Sequence, residues 1–168
     1  RPVVVQATRV ADVRGKKVTL GDPLLHDVRA DQSAVLAGWR HLTNVGIQNL
    51  RLQFPDAPSF GHHLEQGYNG IYMTGVFDGW VRNLVIDQSD SGILTDNAAS
   101  LTIADVTTTG SRRAHYSVHV GAVHNVLVKD LKVANPVVHP VSINTRSTRS
   151  VFLRSVVDKD AIIDQHSG

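Results

Sequence analysis

The sequence predicts an all-β protein in which short strands stack into a parallel β-helix, a solenoid of about four to five coils. Short apolar runs rich in β-branched residues fill the chain, and Gly, Asn, Asp and Ser separate them. No helical period of about 3.6 residues competes with this pattern. The strongest observation is an internal repeat, because self-similarity at a nearly fixed period is typical of solenoids.

Apolar columns define the repeat. The first is Ile71, Ile93, Val118 and Ile143, and the second is Leu84, Val106, Leu131 and Val156. Each member of the second column lies 13 residues after its partner in the first, and successive coils are 22, 25 and 25 residues apart. A third column, three residues before the second, is Val81, Ile103, Val128 and Leu153. One coil cannot bury its apolar face alone, so the coils are expected to enclose a continuous core.

Polar columns mark the turns of each coil. Directly before the second apolar column come Asn49, Asn83, Asp105, Asp130 and Ser155, and six residues before it come Asn44, Asp78, Ser100, Asn125 and Ser150. These residue types tolerate the bent backbone of tight turns. The leucine-rich-repeat consensus is missing, and a β-sandwich would not keep a fixed offset through successive repeats.

The chain divides into two predicted regions. Residues 1–34 form a small N-terminal β element that leads into the first coil, and residues 35–168 form the β-helix, with a loop inserted at about residues 53–69. Solenoids need terminal caps, and neither end supplies an amphipathic helix. We therefore expect a fragment of a longer protein, whose open ends are covered by further coils or by another chain.

Composition limits the function classes. Of the 168 residues, 42 % are hydrophobic and 19 % charged, which excludes a disordered chain, and the longest apolar runs are too short to span a membrane. The net charge of +2 without a dense basic stripe, together with 5 % aromatic residues, argues against a nucleic-acid partner. Cysteine is absent, so disulfides and thiolate chemistry are excluded.

The coil length, the Asn-rich turns and the segments Gly70-Ile71-Tyr72 and Gly92-Ile93-Leu94 resemble the pectate-lyase superfamily of right-handed parallel β-helices. The likeness covers about residues 35 to 168. It implies a carbohydrate-active protein, and we expect a polysaccharide lyase that acts on an anionic, uronate-containing glycan and is secreted or periplasmic. Within this superfamily the same fold carries several activities, so the activity has to be argued from the site.

Strand alternation selects the candidate site residues. If the first apolar column points inward, its neighbours Tyr72, His119 and Asn144 point outward, and so do Asp96 and Arg146 two residues further on. Gly121 would lie between Asp96 and Arg146 as a bare backbone floor. The turn that leads into this strand adds Asp90, Arg113, His115 and His139.

The resemblance implies a division of roles at this site. A cation, from Arg146 or Arg113 or as bound Ca²⁺, would neutralise the uronate carboxyl group, and His119 or His115 would remove the adjacent proton. We place His119, Arg146, His115 and Asp96 in the catalytic set. The substrate-binding set comprises Tyr72, Arg113, His139, Asn144 and Asp90. No residue is assigned as a metal ligand, because His62 and His63 are adjacent on an extended chain and would point to opposite sides.

Two alternatives remain open. Asp90 and Asp96 would suit a glycoside hydrolase, which needs two carboxyl groups at a defined separation. A non-catalytic β-helix that binds glycans, or that forms part of a tailspike or adhesin, is the other alternative. The enzyme predicts a groove over Asp96, His119 and Arg146, whereas the structural protein predicts a flat face with its polar residues paired among themselves.

Overall fold

The computed structural model describes residues 5–144 and 146–158, and in this part of the chain all regular secondary structure is β-strand. Residues 1–4, 145 and 159–168, which include the C-terminal end of the predicted β-helix, lie outside the described residues. The ten strands are β1 (Val10–Arg14), β2 (Lys17–Leu20), β3 (Leu42–Gln53), β4 (Asn69–Asp87), β5 (Ser91–Thr109), β6 (Ala114–Val120), β7 (Val123–Val133), β8 (Val137–Ile143), β9 (Thr148–Leu153) and β10 (Val156–Val157). The described part contains no helix long and apolar enough to cross a membrane.

Strands β3 to β10 stack in parallel as a β-solenoid of about four turns, which confirms the predicted fold class. β3 pairs with β4, and β4 pairs with β5 along nearly its whole length. β5 then pairs with both β6 and β7, because the next coil bends between these two strands. β8 lies on β6, and β9 and β10 lie on β7.

The small N-terminal sheet is separate from the solenoid. β1 and β2 pair in an antiparallel hairpin, and Gly15 takes a positive φ of 57° in the turn between them. A left-handed backbone is open to glycine without steric cost, which explains the glycine at this turn. The main-chain N–H of Gly21 donates to the Arg9 carbonyl and closes the base of the hairpin.

The core is formed by the predicted inward columns. Ile93, Val118, Leu84, Val106 and Leu131 are each at most 1 % exposed. Ile71 pairs with Ile93 and Ile93 with Val118, and the same register joins the second column from Leu84 to Leu131. Apolar ladders of this kind stabilise each coil against its neighbours.

Two left-handed turn columns run along the solenoid. The first consists of Asn44, Asp78, Ser100, Asn125 and Arg149, and the second of Asn49, Asn83, Asp105, Asp130 and Arg154, with φ between 51° and 61°. The two columns are five residues apart in every coil. Asn and Asp tolerate this backbone because their short side chains bond locally.

The register predicted for the last coil was wrong. Val118 pairs with Val141 rather than with Ile143, and Val156 pairs with Lys132 rather than with Leu131. Leu153 likewise pairs with Lys129. The last coil is shorter than the predicted 25 residues, since Phe152 follows its partner Val128 by 24.

The shorter coil changes which side chains face outward. A shift of one residue turns a strand's side chains to the opposite face. Val156 and Leu153 are therefore 55 % and 43 % exposed. The turn positions that the sequence assigned to Ser150 and Ser155 are occupied by Arg149 and Arg154.

Candidate functional site

An open cleft of about 440 Å³ lies on the outer face of the solenoid. Five of the predicted site residues line it: Tyr72, Asp96, His119, Asn144 and Arg146. The predicted face is therefore concave. Tyr116, which was not predicted, also lines the cleft.

Pairing between coils sets the floor of the cleft. Tyr72, Leu94, His119 and Ser142 are partners in successive coils. Ser117 and Val118 are consecutive and both fully buried, so the alternation of β6 is interrupted just before this row. Ser117 Oγ accepts a hydrogen bond from Thr108 Oγ1 at 3.3 Å. The half-buried ring of Tyr116 has its centroid 4.5 Å from that of His119.

His119 is held as a half-buried imidazole. Its Nδ1 lies 3.1 Å from the Ser142 hydroxyl, and Thr95 Oγ1 donates to its carbonyl at 3.0 Å. Burial lowers the pKa of His119, nearby His139 lowers it further, and Asp96 opposes both effects. The ring is therefore neutral at neutral pH, the state in which an imidazole accepts a proton.

Gly121 leaves room for the His119 ring. A Cβ on Gly121 would lie 2.5 Å from His119 Nε2. The Gly121 main-chain N–H donates to Thr95 Oγ1 at 3.1 Å. Gly121 is buried beneath the His119 ring, so its backbone is covered by this side chain.

Asp96 and Arg146 face two cavities. Besides the cleft, they line a neighbouring cavity of about 600 Å³, which is also lined by the chain near Trp39 and by the start of β7 at His124. Arg146 has a positive φ of 63° and follows the end of β8. No ion pair joins Asp96 to Arg146 in the described part of the chain, so the Arg146 charge is not neutralised by that carboxylate.

A histidine cluster lies next to the cleft. Its members are His62, His115 and His139. One ring nitrogen from each of them lies within 4.8 Å of the other two. Glu65, from the same connecting segment as His62, places Oε1 3.1 Å from His115 Nδ1. Burial lowers the pKa of His115 to about 4, against the attraction of Glu65 and aided by the other histidines.

Tyr116 connects this cluster to the cleft. Its ring stacks on His115 at 4.1 Å and on His139 at 5.2 Å between centroids. Burial and the charge of Glu65 raise the pKa of Tyr116, so its hydroxyl keeps its proton. Tyr116 is therefore a proton donor beside the neutral imidazole of His119.

Of the four predicted site residues that do not line the cleft, His115 and His139 belong to the histidine cluster, and Asp90 and Arg113 lie in neither place. Asp90 is 2 % exposed, accepts hydrogen bonds from the main-chain N–H groups of Gly67 and Tyr68, and lies 3.4 Å from Arg112 Nε. Arg113 is exposed at a turn, where its N–H donates to Ser59 Oγ. Both residues hold the segment 54–68 against the solenoid instead of facing the cleft.

Sequence reasoning missed Tyr116, Glu65 and the role of His62. Tyr116 could have been found, since it aligns with His139 in the coil register. No local pattern predicts Glu65 or His62, because segment 54–68 follows no repeat. Their contacts join this segment to strands about fifty residues later in the chain.

Comparison with known proteins identifies no relative of this chain. No family model, no curated protein and no solved structure matches the chain.

Proposed function

We propose that this protein is a carbohydrate-active β-helix of the pectate-lyase-like type, which binds an acidic, uronate-containing polysaccharide in the cleft and cleaves it by elimination. The observation that carries the proposal is the pairing of His119 with Tyr116 on the cleft wall, a proton acceptor beside a proton donor. Elimination needs both groups.

The chemistry balances with these two side chains. His119 takes the proton alpha to the uronate carboxyl group, and the electron pair left on carbon forms a double bond as the glycosidic C–O bond breaks. The Tyr116 hydroxyl gives its proton to the departing oxygen. The guanidinium of Arg146 neutralises the uronate carboxylate and so makes the alpha proton more acidic.

Substrate contacts come from the rest of the cleft. Tyr72 is 58 % exposed and offers a flat ring on which a sugar can stack. Asn144 lies further along the same face. The cleft is open to solvent rather than enclosed, so it can admit one unit of a longer polysaccharide chain.

The number of carboxylates at the cleft favours elimination over hydrolysis. Among the described residues that line the cleft, Asp96 is the one carboxylate. Asp90, its predicted partner for hydrolysis, is buried against Arg112. A glycoside hydrolase needs two carboxyl groups across the bond that is cleaved.

The test is incubation with a panel of uronate-containing polysaccharides, with detection of the unsaturated product by its ultraviolet absorbance and of reducing ends. We expect an unsaturated product, and a loss of rate of about 100-fold or more in His119→Ala, the range for a general base. The control His26→Ala removes an exposed histidine of the N-terminal segment and should retain the wild-type rate.

The remaining outcomes separate the alternatives. Binding without either product indicates a non-catalytic glycan-binding protein. Reducing ends without an unsaturated product indicate hydrolysis. Neither binding nor cleavage of any member of the panel contradicts the proposed function.

A further inference from the structure

The histidine cluster beside the cleft combines residues from three parts of the chain. His62 belongs to segment 54–68, His115 to β6 and His139 to β8. The ring centroid of His62 lies 4.3 Å from that of His115 and 5.7 Å from that of His139, and the last two are 5.6 Å apart. Three imidazole rings at these distances, each with one nitrogen close to a nitrogen of the other two, are arranged as ligands of a single metal ion are.

His115 is oriented for coordination. Its Nδ1 faces Glu65 Oε1 at 3.1 Å, so Nδ1 carries the proton and Nε2 keeps its lone pair. Nε2 is buried and has no hydrogen-bond partner among the described residues. Histidine ligands of metal ions commonly donate their second N–H to a carboxylate, and Glu65 occupies that position here.

The donor set selects the type of metal. Three imidazoles without thiolates suit zinc and similar divalent transition metals rather than calcium, which prefers oxygen ligands. Ligand nitrogens around a tetrahedral zinc are about 3.3 Å apart, given Zn–N bonds of about 2.0–2.1 Å. The three nitrogens lie within 4.8 Å of one another, and the exposed side chain of His62 can rotate to close the difference.

We propose that His62, His115 and His139 bind one zinc ion, with Glu65 as the positioning residue that orients His115. Three protein ligands leave a fourth position for water or for an oxygen of a bound molecule. The ion would also fix segment 54–68 to the solenoid. Tyr116, stacked on two of the ligands, would separate the ion from His119.

Zinc binding to the metal-stripped protein is the test, measured by calorimetry and by competition with a chromogenic chelator, without polysaccharide present. We expect one zinc per chain, and a loss of affinity of at least about 100-fold in His115→Ala and in His139→Ala. Glu65→Gln should weaken binding about 10- to 100-fold, the range for loss of a carboxylate that orients a ligand. His26→Ala is the control and should bind as the wild type does.

Two further measurements keep folding apart from binding. The thermal unfolding temperature of each metal-free variant shows whether it is folded, and zinc should raise this temperature in the wild type and not in His115→Ala. The Co²⁺-loaded wild type should show the visible absorption of a low-symmetry nitrogen-ligated site. Zinc binding that is absent in the wild type, or unchanged in folded His115→Ala, would overturn the proposal, and neither result depends on the lyase activity.

Discussion

Asn83 shows how a single residue supports the turns of the solenoid. It has a positive φ of 52°, and its Nδ2 donates to Asn49 Oδ1 of the preceding coil at 2.8 Å. The side chain therefore tolerates the left-handed backbone and also bonds to the neighbouring coil. Alanine lacks the amide that forms this bond, and it takes the left-handed backbone at a steric cost without the local hydrogen bonding by which asparagine offsets that cost.

We expect Asn83→Ala to lower the free energy of unfolding by about 1–2 kcal/mol. Asn83→Gly is the matched variant, since glycine loses the same hydrogen bond without the steric cost, and it should be less destabilising than alanine. Urea unfolding of the three proteins measures the difference. Equal stability of the alanine and glycine variants would contradict the role assigned to the left-handed backbone.

Where the coil length was regular, the alternation of residue types predicted which side chains lie on the outer face. Alternation around Ile71, Ile93 and Val118 gave the outward positions of Tyr72 and His119. It could not give the partner of His119 in the last coil, because the distance from Val118 to Val141 is two residues shorter than the extrapolated 25. The aligned residue is therefore Ser142, whose hydroxyl contacts His119 Nδ1.

At the scale of elements, segment 54–68 depends on one buried carboxylate. Asp90 accepts two main-chain hydrogen bonds from the end of this segment and pairs with Arg112, whose side chain is 1 % exposed. The guanidinium of Arg112 also lies over the Tyr68 ring, 5.0 Å from its centroid. Removal of the carboxylate would leave a buried cation and two amides without their acceptor.

Asp90→Ala should therefore lower the free energy of unfolding by about 3–5 kcal/mol, the usual cost of breaking a buried pair. The control is Asp158→Ala, which removes a partly exposed carboxylate 3.8 Å from Lys132 and should cost less than about 1 kcal/mol. Chemical denaturation gives the stabilities, and limited proteolysis shows whether segment 54–68 is cleaved faster. A loss in Asp90→Ala no larger than in Asp158→Ala would contradict the anchoring role.

The position of segment 54–68 shows the limit of element prediction. Pro55, Pro58 and the excess length predicted a loop, and no strand is present between β3 and β4. The path of this segment is set by two contacts between residues distant in sequence. Gly67 of the segment donates to Asp90, and Glu65 of the segment contacts His115. Periodicity carries no information on such contacts.

For the whole molecule, a buried histidine links stability to pH. His124 is 3 % exposed, and its Nδ1 lies 2.7 Å from Thr148 Oγ1. Burial lowers its pKa, the charge of Arg149 lowers it further, and Asp22 opposes both. Since the unfolded chain then binds more protons than the folded chain below about pH 6.5, the stability is present above that pH and is lost as the pH falls.

We expect His124→Asn to reduce this loss, because asparagine does not titrate. Thermal unfolding of zinc-free protein between about pH 7 and pH 5 measures the slope. His115 and His119 contribute in the same direction, so a part of the slope remains. His26→Asn provides the comparison, and a slope in His124→Asn as steep as that of the wild type would contradict the assignment.

The overall architecture was predictable because a solenoid repeats its own signal. Core positions such as Leu84, Val106 and Leu131 recur with the turn residues that precede them, so each coil supports the assignment of the next. The last coil broke the pattern, since Arg149 and Arg154 occupy turn positions where the other coils have Asn, Asp or Ser. Arginine gives no turn signal in the sequence.

The constant distance between the two left-handed columns has a consequence for how such a protein can vary. In each coil the second turn follows the first by five positions, whereas successive coils are 34, 22, 25 and 24 residues apart from Asn44 to Arg149. The differences in length between coils therefore all lie in the part of the coil outside the arc between these two turns. That part carries the cleft, the histidine cluster and segment 54–68, so new loops and new specificities can arise there while the stacking of the coils is preserved.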